Sequence, residues 1–186
     1  MSLLTKKELA NSLKQLMSIK TLDKITIKDI TTDCGVNRQT FYYHFQDIYD
    51  LLDWIYKTEA VDGISEYKTY KTWQKGFLMI FQYIIKNKEF CINSLHSIGR
   101  DSLDSFLYKT TFDLLMGVIN EISEGMKVLE DDKKFIANFY TYAFVTLVIM
   151  WMKNGMKESP EIIIKKLNTL IEGEIEKALK KYEQAQ

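Results

Sequence analysis

Apolar residues along this chain recur at intervals of three and four, and nowhere does a sustained strand-like alternation compete with that helical spacing. Leu9, Leu13, Leu16 and Met17 place one apolar stripe on a first helix, which a Thr5–Glu8 capping box is expected to open. The loop around Lys20–Lys24 leads to a second helix with Ile27, Ile30 and Cys34 on one face, bounded by a Thr26–Asp29 capping box and by Gly35. Asn37 caps a short third helix that runs to Phe45. Asp47 caps a fourth, with Ile48, Leu51, Leu52 and Ile55 inward.

From Tyr67 the helices become longer and richer in aromatic residues. Trp73, Phe77, Ile80, Phe81, Ile84 and Ile85 mark one, and Phe90, Ile92 and Leu95 a shorter one. After Arg100, Tyr108, Phe112, Leu115, Ile119, Ile122 and Met126 mark another. Phe135–Met152 carries no charge, yet polar Asn138, Thr141 and Thr146 dilute it and its 18 residues are at the short limit for a membrane span. It is expected to be buried on all sides, in a core and a subunit interface. Ser159, Pro160 and Glu161 then open a last helix with Ile163, Leu167, Leu170, Ile171 and Ile175. The predicted fold is all-α, with a helix-turn-helix head at 1–46, a linking helix at 47–64 and a regulatory and dimerisation body at 65–186.

Composition changes this picture little. The chain is 46% hydrophobic and 13% aromatic, which is globular, and its single proline and eight glycines leave few helix breakers. Its formal charge is zero, unusual for a nucleic-acid binder. Residues 1–46 nevertheless hold six lysines and one arginine against four acids, a net +3 that the remainder cancels. Cys34 and Cys91 lack metal-site spacing and are expected to be reduced, buried thiols. The start MSLLTKKELA has no apolar signal core, so a cytoplasmic protein without a membrane anchor is expected.

The most informative stretch is Thr26–Phe45, TIKDITTDCGVNRQTFYYHF. Two short capped helices joined by a tight glycine turn describe a helix-turn-helix, whose second helix enters the major groove of DNA. On a helical wheel Phe41 and Phe45 face the core, while Gln39, Thr40 and Tyr43 face outward and are the candidates for base edges. Gln pairs bidentately with adenine, and Thr offers thymine a methyl contact or a base a hydrogen bond. Arg38, Tyr42 and His44 lie on the flanks, where phosphates run. Asn37 stands at the start of this helix, Thr26 can present its hydroxyl or N–H to a phosphate, and Lys28 adds charge.

These residues, GVNRQTFYYHF with the acidic-apolar helix start that follows, resemble the TetR family of transcriptional regulators over roughly the first quarter of the chain. The resemblance implies a homodimer of about nine helices per chain, paired through the last two helices in a four-helix bundle and bound to an inverted-repeat operator in double-stranded DNA. It carries Thr26, Arg38, Gln39, Thr40, Tyr42, Tyr43 and His44 over as DNA contacts, and implies no cofactor or metal. The family commonly places a phosphate-binding lysine where this chain has Ile48. More narrowly, RQTFYYHFQDIYDLLDWIY, Trp73 and WMKNGMKESP resemble the dihydroxyacetone kinase regulators. That subgroup includes activators working with a kinase-like protein partner in place of a small molecule.

Two other readings compete with this one. No phosphate loop, nucleophile elbow or metal-ligand spacing supports an enzyme. A helical interaction module with a degenerate head draws on Ile48 and the neutral charge. The aromatic body residues Trp73, Phe77, Phe81, Phe112, Phe139, Tyr142 and Trp151 are expected to pack as core rather than line a ligand pocket.

Overall fold

A computed structural model describes residues 2–59 and 64–184. Among them are ten α-helices and no strand: α1 (Ser2–Met17), α2 (Ile27–Asp33), α3 (Arg38–His44), α4 (Ile48–Glu59), α5 (Trp73–Lys86), α6 (Lys88–Leu95), α7 (Arg100–Ile122), α8 (Glu130–Lys153), α9 (Pro160–Ile171) and α10 (Glu174–Gln184). Single 3₁₀ turns occupy Leu22–Lys24 and Ile64–Tyr67. Residues 60–63, at the end of the expected linking helix, lie outside the described residues.

Two compact units divide the chain. One combines Met1–Ala60 with Ile84–Phe106, the other Val61–Tyr83 with Leu107–Gln186. The first unit is built on the stripe predicted for α1. Leu9, Leu13 and Met17 are buried with Ile30, Phe41, Phe45, Leu51, Leu52 and Ile55. Tyr56 of α4 stacks on Phe106 at 5.2 Å between ring centroids and lies 5.1 Å from Phe90 of α6. The second unit has an aromatic spine. Phe77 lies 4.8 Å from Phe144 and 5.3 Å from Phe81, which meets Trp151 edge-on at 4.8 Å. The Trp151 indole donates to the Glu158 carbonyl at 2.8 Å, so its one polar atom is satisfied. A second cluster joins Ile119 of α7, Ile136 and Ala137 of α8, and Ile175 and Leu179 of α10.

Several boundaries and faces differ from the sequence expectation. α1 begins at Ser2, so the Thr5–Glu8 box lies inside it; Leu3 and Leu4 are good helix formers and extend it backward. The last helix is two helices, α9 and α10, broken at Glu172 and Gly173, whose φ of 75° is the left-handed conformation that ends a helix. Counted as one, they bring the total to nine. Ile85 and Leu170 are exposed, Ile48 is half-buried, and Met126 lies beyond the end of α7.

α8, expected to be buried between a core and a subunit interface, is covered by its own chain on one side. Ile136, Ala137, Thr141, Phe144, Val148, Trp151 and Met152 are buried within the chain. On the other side Phe135 is 63% exposed, Phe139 64% and Tyr142 63%. The helix is therefore not covered all round by its own chain. α8 is the one helix among the described residues long and apolar enough to cross a membrane, and 39% of its apolar window is buried inside the chain.

Candidate nucleic-acid interface

The interface is built on two helices of seven residues each, too short to be stable alone. Their ends are closed by specific hydrogen bonds. At α2 the capping box is complete: Thr26 Oγ1 accepts from Asp29 N–H at 3.2 Å, and Asp29 Oδ2 accepts from Thr26 N–H at 2.8 Å. The Thr26 hydroxyl donates to the same carboxylate oxygen at 2.8 Å, and Lys20 Nζ lies 2.9 Å from it. The Thr26 amide first, then Lys20, hold the Asp29 carboxyl at a pKa of about 2 against an ordinary 3.8.

α2 ends in a Schellman motif. Gly35 has φ 65°, its N–H donates to Thr32 O at 3.2 Å, and Val36 N–H donates to Thr31 O at 2.9 Å. The chain is thus turned within three residues into Asn37, whose side-chain oxygen caps α3 by accepting from Thr40 N–H at 2.8 Å. Thr40 Oγ1 donates to that same oxygen at 3.0 Å. Phe41 is fully buried, as is Phe45, where the chain leaves the helix in an extended conformation. They anchor one side of α3 in the unit's core.

The opposite side is open. Tyr43 is 81% exposed and Tyr42 58%, Arg38 and Gln39 are exposed, and Thr40 and His44 are half-buried. Tyr43 and His44 meet edge-on at 4.9 Å. Of the seven positions of α3, Phe41 anchors the helix and the others present donors, acceptors and ring faces. Thr26, Lys28 and Asn37 are also exposed. Thr26 differs from its expected role, because its N–H and hydroxyl both donate to Asp29; a phosphate there has to displace a carboxylate. The Asn37 oxygen is likewise spent on α3 itself, leaving its amide nitrogen as the outward donor.

Beyond α3, Asp47 Oδ1 accepts from Asp50 N–H at 2.8 Å and Asp50 Oδ2 from Gln46 N–H at 3.0 Å. The start of α4 therefore presents two carboxylates beside the half-buried Ile48. Three residues were not singled out from the sequence. Lys20 pairs with Asp29, Lys6 Nζ sits 5.4 Å above the Phe45 ring, and Asn93 of α6 bonds the loop after α1. Their partners are distant in sequence, except for Lys20, whose spacing of nine residues across a loop carries no local signature.

Neither cysteine is paired. Cys91 is buried, and burial pushes its thiol up to about 12; Cys34 is half-buried and raised for the same reason. Among the described residues no group of His, Cys, Asp and Glu could hold a metal ion.

A buried-anchor helix presented by a Schellman turn, followed by a helical body, defines a helix-turn-helix transcription regulator. Residues 13–55 match the bacterial regulatory proteins of the tetR family, and residues 71–173 match a transcriptional regulator C-terminal region of that family. The chain belongs to the TetR family, and is a regulator and not an enzyme. It is 33% identical over 89 residues to the HTH-type dhaKLM operon transcriptional activator DhaS of Lactococcus lactis; the matched segment spans about half of each chain, 48%. A solved structure of a dihydroxyacetone kinase operon activator, DhaS, matches with a TM-score of 0.73 over 93% of this chain and 97% of its own, at 24% identity, which is a likeness of fold.

Proposed function

We propose that this chain binds double-stranded DNA at an inverted-repeat operator as a homodimer, with α3 of each protomer in the major groove. Gln39, Thr40 and Tyr43 meet base edges. Arg38, Tyr42 and His44 hold phosphates on the two rims, with Lys28 adding charge and Thr26 and Asn37 flanking the helix starts. The observation that carries this reading is the division of α3 itself: Phe41 is sealed in the core while the face opposite it, with Gln39 and Tyr43, is open. A helix needed only for packing has no reason to leave a tyrosine 81% exposed beside exposed Arg, Gln and a second tyrosine.

A second copy of the chain is the natural cover for α8 and α9. Phe135, Phe139 and Tyr142 of α8 and Ile162 and Leu170 of α9 are exposed. Leu147, Met150, Ile163 and Leu167 help line a groove of about 450 Å³ between the two helices. Pairing these faces about a two-fold axis also gives α8 its remaining burial without a membrane, consistent with a soluble cytoplasmic protein. The two recognition helices would then address half-sites roughly 34–36 Å apart, one turn of DNA.

The dhaKLM operon activated by the Lactococcus lactis relative supports control of a dihydroxyacetone kinase operon by this chain. A signal received by the body shifts the population between DNA-binding and non-binding dimers. Because Trp73, Phe77, Phe81, Phe144 and Trp151 are spent on one another, these rings do not line a small-molecule pocket, which leaves room for the kinase-like protein effector that the resemblance implies. A second reading, a head that no longer binds DNA, is favoured by one observation: Asp47 and Asp50 surround Ile48 where a phosphate would approach.

Fluorescence-anisotropy titration of the purified protein with duplex DNA from upstream of its own gene, against random duplex at several salt concentrations, tests the proposal. Selective binding that saturates at two chains per site is expected. Binding no better than to random duplex sinks it in favour of the second reading.

A further inference from the structure

α6 contributes one side chain to the unit that contains the head in a way that its local sequence does not announce. The Asn93 carboxamide oxygen accepts from Leu22 N–H at 3.0 Å, and its nitrogen donates to the carbonyls of Met17 and Lys20, both at 2.8 Å. The orientation of the amide is fixed by its partners, since an N–H only donates and carbonyls only accept. All three partners are main-chain groups of the segment that ends α1 and begins the 3₁₀ turn. Those are groups that helix ends leave without a partner of their own. The rest of that loop is held by turn bonds from its own residues, Ser18 N–H to Gln15 O, Ile19 N–H to Leu16 O and Lys20 N–H to Leu16 O.

The contact does not stop at the loop. Lys20, whose carbonyl Asn93 holds, sends its ammonium to Asp29 Oδ2, the oxygen that also receives the Thr26 N–H and hydroxyl. Asn93, the Lys20 main chain, the Lys20 ammonium, Asp29 and Thr26 thus form one connected polar path inside a single unit. It ends at the first residue of the helix-turn-helix. α2 is only seven residues long and is not stable alone: Ile30 and Thr31 seat it in the core, the Ser12 hydroxyl of α1 donates to the Ile30 carbonyl at 3.4 Å, and this cap closes its start.

We propose that Asn93 is a positioning residue for DNA binding: by pinning the Met17–Leu22 loop it holds Lys20 on Asp29 and so fixes the start of α2, which leads through Gly35 into α3. The consequence for affinity rests on the DNA-binding reading above; the positioning itself does not. Truncating the carboxamide leaves three main-chain groups without this partner, two of them on the buried residues Met17 and Leu22, so the loop loosens while the apolar core of the unit, Leu9, Leu13, Ile30 and Phe41, stays intact.

Amide hydrogen exchange of the DNA-free protein, followed by titration with a duplex that the wild type selects from a random-sequence pool, tests this. Asn93→Ala is expected to speed exchange at Leu22 and Thr26 about tenfold while leaving Val36 and Phe45 unchanged, and to weaken selected-duplex binding about tenfold. Lys20→Met is expected to weaken binding in the same direction. The double variant should lose no more than the worse single one, as members of one path do. Unchanged exchange at Leu22 and Thr26, equal acceleration at every amide, or losses from the two substitutions that multiply each overturn the proposal. If the wild type selects no duplex, the DNA-binding reading fails while the exchange pattern still decides whether Asn93 positions α2.

Discussion

The helix-turn-helix and the α8–α9 face are made by opposite means. In the head, hydrogen bonds between residues three to five apart (Thr26 with Asp29, Val36 with Thr31, Asn37 with Thr40) determine where each helix starts and stops. Only a few large side chains, Phe41 and Phe45 among them, are needed to seat it. In the body, helices of up to 24 residues are set by ring-on-ring packing, and one flank of α8 finds no cover in its own chain. A surface that must present the same few donors to a ligand is fixed locally. The α8–α9 face, proposed to meet a second copy, is left open by its own chain.

The strongest way to break this comparison is to remove the head's anchor. Phe41→Ala is expected to cost about 3–5 kcal/mol and to abolish DNA binding, because the cavity lies under the recognition helix. Chemical denaturation followed by tryptophan fluorescence reads it, and a loss under 1 kcal/mol would mean that α3 is not seated by that ring. Gly35→Ala comes next. Nothing lies within 4 Å of the added methyl, so the whole effect is backbone strain at φ 65°, about 1–2 kcal/mol. The same denaturation curve checks it.

In the body the sign reverses. The Thr141 hydroxyl is fully buried without a hydrogen-bond partner, so Thr141→Val is expected to raise stability by about 1 kcal/mol. A decrease would reveal a hidden acceptor or water. The smallest effect sharpens the head's side of the contrast through pH. Because the Asp29 pKa is lowered on folding, its contribution is complete above the ordinary carboxyl range near 3.8 and is lost as pH falls through about 2. Asp29→Asn should therefore be less stable at neutral pH and flatten the urea-midpoint profile between those two values. Parallel profiles for wild type and variant would show that the capping box does not couple to folding.

Legibility in the sequence follows the same division. The caps at Thr26, Asn37, Asp47 and Ser159, the Gly35 turn and the buried pair Phe41 and Phe45 were readable because each is decided within five residues. The periodicity of α8 showed apolar residues on all sides but not which were covered by the chain itself. Nor could periodicity show the break at Gly173, since apolar spacing continues from Leu167 to Ile175 across it. The candidate site was readable as a list of outward residues. What the list could not hold was how their hydrogen bonds are spent, Thr26 on Asp29 and the Asn37 oxygen on Thr40, or that the loop before α2 is bonded by Asn93, some 70 residues away.

Whether α3 reads base sequence is decided by binding selection with variant proteins. The affinity of wild type, Gln39→Ala and Arg38→Ala would be measured on every single-base variant of the selected duplex at two salt concentrations. Gln39→Ala is expected to change preference at one base pair by about 1–3 kcal/mol, whereas Arg38→Ala weakens all duplexes alike with a smaller salt slope. An equal loss on every duplex from Gln39→Ala would contradict base reading by α3.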